Sequence, residues 1–326
     1  MHFPKVLGPS TKAVIFAPLF GLPVDPYPTL EIATEKGIAF IDDSAQALGV
    51  EIKGKKAGSF GDIGILTFNK SLNVDLGAAV TTNNEELATK IKQIREEYES
   101  KSFPATIGYR LIEFSRLKSR RIMKTIFRGD KYLRRLMRIT ERKHFRIVDG
   151  WVEGSPYVLK SWRSNTLTTD MTNQLMSYYR TYSHKRKLEK TEIVYLKNEF
   201  DNLDRYLQDR RRIAKMYDEL IVESDLGKFI VPKNSAASYI RYPVLFSNRK
   251  RLSRRIRKLT QAGFHVDGRY EPLHKSPFFG GMNKSSGFKE SIFVSEHVLP
   301  LPVQSLNSDS KRAQKVASIV NFSSFG

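Results

Sequence analysis

Two stretches, IDDSAQALG at Ile41–Gly49 and GSFGDIGILTFNKSLNVDLGAAVTT at Gly58–Thr82, decide how this chain folds. Each carries a short apolar run that gives way to polar residues: Ile38–Ile41 leads into Asp42 and Asp43, and Ile63–Phe68 leads into Asn69 and Lys70. Runs of that length, bounded by glycines and polar clusters, read as strands. A carboxylate at the carboxyl end of one parallel strand and a lysine just past the end of the next meet above the sheet, where open α/β folds bind ligands.

Working outward, strand-like and helix-like stretches alternate through the first hundred residues, the pattern of a parallel sheet covered by helices. Lys12–Ala17 (KAVIFA) reads as a buried strand, Pro28–Lys36 as a helix and Ala78–Thr82 as a further strand. Asn84 is positioned to cap a helix on which Leu87, Ile91 and Ile94 recur at helical spacing. Helical periodicity returns over 171–222, ending in LDRYLQDRRRIAKMYDELI. From Tyr239 the alternation resumes, with a strand YIRYPVLF, a helix Arg251–Ala262 closed by Gly263, a strand FHVDG and a last helix near 309–320. The expected organisation is a large α/β domain over 1–100, a basic helical insertion over 101–165, a long helical connection over 166–235 and a smaller α/β domain over 236–326.

Composition narrows the function classes. The 326 residues, 40% of them apolar, suffice for a substantial core, and the absence of cysteine excludes disulfides and thiolate chemistry. No apolar run approaches the roughly 18 residues needed to span a bilayer, and a cytoplasmic location is expected. The net charge of +21 is a local feature, because residues 101–146 hold fifteen Lys or Arg against three Asp or Glu. In that segment Leu111, Phe114, Leu117 and Ile122, then Tyr132, Leu133, Leu136, Met137 and Ile139, form apolar stripes between the cations. Such helices suit either contact with an anionic membrane or a solvated hairpin packed on a protein surface. A nucleic-acid-binding protein would account for the charge, yet no zinc-finger spacing or RNA-recognition signature accompanies it. No metal site is expected.

The paired amine and carboxylate suit pyridoxal 5′-phosphate (PLP), whose aldehyde takes a lysine and whose ring nitrogen is kept protonated by an acid. With AVIFAPLFGLPVD, GIAFIDDSAQALG, KGKKAGSFGDIGILTFNK, LDRYLQDRRRIAKMYDEL, RYPVLF, GRYEPLH and VLPLP in that order, the chain resembles the DegT/DnrJ/StrS family of PLP-dependent sugar aminotransferases. The resemblance implies the α/β fold of the aspartate aminotransferase-like PLP transferases, with a truncated, mainly parallel large domain and a smaller C-terminal α/β domain. It implies that Asp43 pairs with the pyridine nitrogen, Gln46 lies against the cofactor, Thr67 contacts its phosphate and Lys70 carries it covalently. It further implies a substrate-side role for His274, with Arg269 and Tyr270 beside it, although a lone histidine there also serves structure. The implied partners are a nucleotide-linked keto sugar, glutamate as amino donor and a second copy of the chain in a homodimer, in polysaccharide or cell-surface glycan biosynthesis.

Three departures from the family pattern bear on these expectations. Family members carry on the order of a hundred more residues before the point that matches Met1, a domain-sized difference that includes part of the phosphate grip. The segment 101–165 is an insertion, and TLTTDMTNQ at Thr166–Gln174 stands where the family has an Asn-Tyr-Arg stretch. A PLP-binding chain without turnover is therefore the rival expectation.

Overall fold

The computed structural model describes residues 7–72, 74, 77–97, 187–188, 190–222, 226–264, 266, 272, 274, 288–303 and 309–321. Described residues through Gln93, those of 190–272 and those from Phe288 onward belong to one compact unit, whose architecture follows; Ile94–Glu97, Lys187, Leu188 and His274 belong to a second. The insertion expected over 101–165 lies outside the described residues.

The chain runs β1 (Ala13–Phe16), α1 (Tyr27–Glu35), β2 (Ala39–Asp43), β3 (Glu51–Ile52), β4 (Lys55–Lys56), β5 (Ile63–Thr67), β6 (Ala78–Thr81) and α2 (Glu85–Glu96). Then follow α3 (Lys190–Phe200), α4 (Leu203–Leu220), β7 (Leu226–Lys228), β8 (Ser235–Ala236) and β9 (Arg241–Phe246). The chain closes with α5 (Arg249–Gln261), α6 (Lys289–His297), β10 (Val298–Pro302) and α7 (Ser310–Asn321).

The first sheet has the order β1-β2-β5-β6, with β1, β2 and β5 mutually parallel and β6 antiparallel to β5. Side chains alternate across a strand, so register sorts them onto two faces. On one face Val14, Phe16 and Phe40 join Ala33 and Leu30 of α1, Ala47, Val50 and Phe60 in one cluster, while Leu66 of that face packs with Leu48, Phe68 and Leu72. The other face carries Ile15, Ile41 and Ile63 in one row and Asp43, Ile65 and Val80 in the next. This second face is open at its outer strands, where Ile15 is 64% exposed and Val80 50%, and half-buried at Ile41, Ile63 and Ile65 between them.

That corrects the expectation for Lys12–Ala17, since β1 is an edge strand with alternating exposed and half-buried residues and not a buried strand. An apolar run specifies a strand, whereas burial of its second face depends on what lies opposite. Asn84 does cap α2, accepting from the Leu87 N–H at 2.9 Å. The 171–222 periodicity resolves, where described, into α3 and α4, separated at Asp201 and Asn202.

The C-terminal part is built on the antiparallel sheet β10-β9-β7. Tyr242, Val244 and Phe246 of β9, with Leu299 and Leu301 of β10, bury against Ile213, Ala214 and Tyr217 of α4, Leu252 and Leu259 of α5 and Val316 and Val320 of α7. No strand forms at FHVDG among its described residues, Phe264 and Val266. The two-residue strands β3 and β4 pair as a hairpin, and β8 pairs with β3, so residues 235–236 are tied to the N-terminal part.

Gly64 of β5 tests the helix-covered face. A Cβ there would collide with the Gly58 carbonyl and the Thr81 hydroxyl, both backbone-tied. Gly64→Ala is expected to destabilise the chain by about 3 kcal/mol through overpacking, read as a lower urea midpoint.

Candidate active site

Period-two alternation separates the neighbouring acids of β2. Asp42 lies on the helix-covered face, 1% exposed, and accepts from the N–H groups of Gly58 at 2.6 Å and Phe60 at 3.2 Å and from the Ser44 hydroxyl at 2.6 Å. Its carboxylate therefore closes the loop that leads from β4 into β5. Asp43 lies on the open face and is half-buried, its Oδ1 accepting from the Ala45 N–H at 3.2 Å in a tight turn. Only the second acid is directed to the face away from α1.

Lys70 follows the carboxyl end of β5, in a single tight turn where the Ser71 and Leu72 N–H groups donate to the Phe68 carbonyl at 3.0 and 2.7 Å. The Phe68 N–H donates to Gly77 at 3.0 Å, which pins the loop at the start of β6. Lys70 is half-buried. Because β2 and β5 are adjacent and parallel, with Asp43 opposite Ile65, the carboxylate and the amine-bearing turn emerge at the same end of the sheet.

Thr67, the last residue of β5, shares the open face with Asp43. Its hydroxyl donates to the Ala45 carbonyl at 2.7 Å, linking the turn after β2 to the end of β5. Gln46 is 7% exposed, and its Oε1 accepts from the Phe20 N–H at 3.1 Å. Four of the residues singled out in sequence thus gather at the carboxyl ends of two neighbouring strands. His274 belongs to the second unit and is half-buried, whereas Arg269 and Tyr270 lie outside the described residues.

The sequence reading found helical periodicity over this stretch but missed that α4 holds these turns. Along α4, Leu207, Arg210, Ala214 and Tyr217 recur at helical spacing and all are buried. Gly49, at φ +84°, lies so close to α4 that a Cβ would meet Leu207 at 2.6 Å. The Arg211 Nε donates to Ala237 at 2.8 Å, and its Nη2 to Gly49 at 3.4 Å. Beside them Phe68 packs edge-on against Phe200 of α3, with ring centroids 5.1 Å apart, and Leu48 and Leu72 complete that cluster. The signal was present in the sequence as an arginine at an apolar-face position of an amphipathic helix.

The donor set fits PLP in kind. It offers a carboxylate for a protonated ring nitrogen and an amine for an aldehyde, at the sheet end where such folds bind ligands. Among the described residues no group of His, Asp or Glu is arranged to hold a metal ion, and no helix is long and apolar enough to cross a membrane.

Division of labour between the two acids is measurable. Asp42→Ala orphans two buried N–H groups at roughly 1–3 kcal/mol each and is expected to cost about 2–6 kcal/mol in urea unfolding. Asp43→Ala, which loses one local turn contact, is expected to cost about 1 kcal/mol. Equal costs would contradict this assignment.

Comparison with known proteins agrees with the geometry. The family model for the DegT/DnrJ/EryC1/StrS aminotransferases matches residues 3–110 and 162–321. A GDP-perosamine synthase of Caulobacter vibrioides is 37% identical over 92 residues, 28% of this chain and 25% of the relative. A UDP-N-acetyl-3-dehydro-alpha-D-glucosamine 3-aminotransferase of Acidithiobacillus ferrooxidans is 41% identical over 92 residues, 27% of this chain and 25% of the relative. The matched part thus spans a quarter of those curated relatives. Among solved structures, the aminotransferase TlmJ of Streptoalloteichus hindustanus superposes with a TM-score of 0.67 at 19% identity, covering 98% of this chain and 68% of TlmJ. PseC of Helicobacter pylori, an aminotransferase involved in pseudaminic acid biosynthesis, superposes with a TM-score of 0.64 at 17% identity, covering 99% of this chain and 70% of PseC. The fold is that of the PLP-dependent sugar aminotransferases, and the chain belongs to the DegT/DnrJ/EryC1/StrS aminotransferase family.

Proposed function

We propose that this protein is a PLP-dependent aminotransferase that moves an amino group from glutamate to the keto carbon of a nucleotide-linked sugar. The observation that carries it is the emergence of Asp43 and the Lys70 turn at the carboxyl ends of adjacent parallel strands. Family membership supports the chemistry, and the names of the two curated relatives, one GDP-linked and one UDP-linked, support the substrate class. The product would enter polysaccharide or cell-surface glycan biosynthesis in the cytoplasm, with the enzyme acting as a homodimer.

When bound, PLP supplies an aldehyde and a ring that accepts electrons. In this proposal Lys70 Nζ would hold the cofactor through its aldehyde and, when free, would be the base that carries the proton released from the donor's Cα. Asp43, half-buried at the end of β2, would accept the hydrogen bond of the protonated ring nitrogen. Thr67 would contact the phosphate by turning its hydroxyl from the Ala45 carbonyl to a phosphate oxygen, and Gln46, fixed by Phe20, would lie against the cofactor. His274, with Arg269 and Tyr270, would meet the sugar substrate. The basic segment 101–146 would rest on anionic lipid at the inner membrane face.

A second reading has its own support. The apolar face that Asp43 shares leaves Ile15 64% and Val80 50% exposed, and both faces of parallel sheets are ordinarily covered. A chain with that face open would hold PLP weakly or without turnover.

The protein, equilibrated with PLP, is expected to gain a visible absorbance band that glutamate discharges with release of 2-oxoglutarate. Lys70→Ala is expected to lose the band and to slow that half-reaction at least about 100-fold. A band that glutamate leaves unchanged would select the second reading, and an intact band in Lys70→Ala would exclude Lys70 as the cofactor lysine.

A further inference from the structure

The side chain of Arg210 lies inside the protein at 3% exposure, on the apolar face of α4. Its Nη2 donates to the carbonyl of Ser71, the residue directly after Lys70 and 139 positions away in sequence. Its Nη1 is buried with no hydrogen-bond partner among the described residues, as is the Ser71 hydroxyl. Burial lowers the guanidinium pKa to about 10, which leaves it charged at neutral pH.

Stability does not explain this arrangement. A guanidinium taken out of water with one arm unpaired destabilises a fold, and apolar side chains of similar volume often serve as well or better. What Arg210 does uniquely is reach across from α4 to the backbone of the lysine turn. The same helix presses Leu207 onto Gly49 and sends Arg211 Nη2 to the Gly49 carbonyl at 3.4 Å, so it also holds the turn that follows Asp43. One rigid element therefore touches both turns.

We propose that Arg210 is a positioning residue, which fixes the Lys70 turn against α4 and thereby sets the spacing between Lys70 and Asp43. This rests on the reading of Lys70 as the cofactor lysine. The physical reason for such a device is that the amine must be base, nucleophile and leaving group at one place, and a misplacement of about 1 Å costs on the order of 100-fold in rate.

The test compares wild type, Arg210→Met and Arg210→Lys, each loaded with PLP and given glutamate. Arg210→Met is expected to keep or raise the melting temperature. It should lower kcat of the glutamate half-reaction by roughly 10- to 100-fold with KM nearly unchanged. The pH midpoint of the visible band is expected to move as well, because the cofactor–lysine bond loses its fixed relation to the Asp43 charge. Since only one donor reaches Ser71, the ammonium of Arg210→Lys can restore that contact and should recover part of kcat. Loss of melting temperature in Arg210→Met without a change in kcat or in the pH midpoint would overturn the proposal, as would a lysine variant no better than the methionine one. If wild type takes no PLP on Lys70, the reading beneath it falls, and this proposal with it. If wild type loads PLP on Lys70 and Arg210→Met is indistinguishable from it, only the positioning role falls.

Discussion

The side-by-side pairing of β2 and β5, secured by the Asp42 carboxylate, is the constraint on which the rest of the site depends. Asp42 is buried, and its two bonds to the N–H groups of Gly58 and Phe60 hold the loop that delivers β5 alongside β2. The register that follows sets Asp43 opposite Ile65 and brings the Lys70 turn out at the same sheet end. Thr67 reinforces it from the other face through the Ala45 carbonyl. A charge-assisted bond to backbone in a dry setting is strong, and removing the acid would leave the donors unsatisfied. The acid that shapes the site is thus the one without a proposed part in the chemistry.

Much of this was legible in sequence. The apolar runs ending in Asp42-Asp43 and in Asn69-Lys70 gave two parallel strands with their polar ends together, because a strand bounded by turn residues carries its own signal. Two consecutive acids in a strand must face opposite sides; which one is buried depended on where Gly58 and Phe60 return, and local pattern does not record that. The antiparallel direction of β6 was equally hidden, since Ala78–Thr81 has the same residue pattern in either direction. The tight Phe68–Gly77 closure is what turns the chain back. For Ile15 the run predicted burial, yet the exposed state of that face reflects the layer opposite it, a property no window of sequence contains.

Helix α4 shows the converse case, in which pattern was visible and its meaning was not. The spacing of Leu207, Arg210, Ala214 and Tyr217 announces an amphipathic helix, and an arginine in the apolar register breaks the rule of such faces. Exceptions of this kind concentrate where a site needs them. Here the exception joins the C-terminal half of the chain to the backbone beside Lys70, while Tyr217 of the same helix packs into the core of the C-terminal part and donates to the Pro302 carbonyl at 2.8 Å.

Everything proposed about the reaction requires the cofactor to bond to one lysine among many. Borohydride reduction of the PLP-equilibrated protein, followed by proteolysis and mass spectrometry, reads that directly, because reduction fixes the cofactor to the amine that held it. The account predicts a phosphopyridoxyl group on the peptide containing Lys70. Labelling confined to other lysines, or a protein left unlabelled, would contradict it.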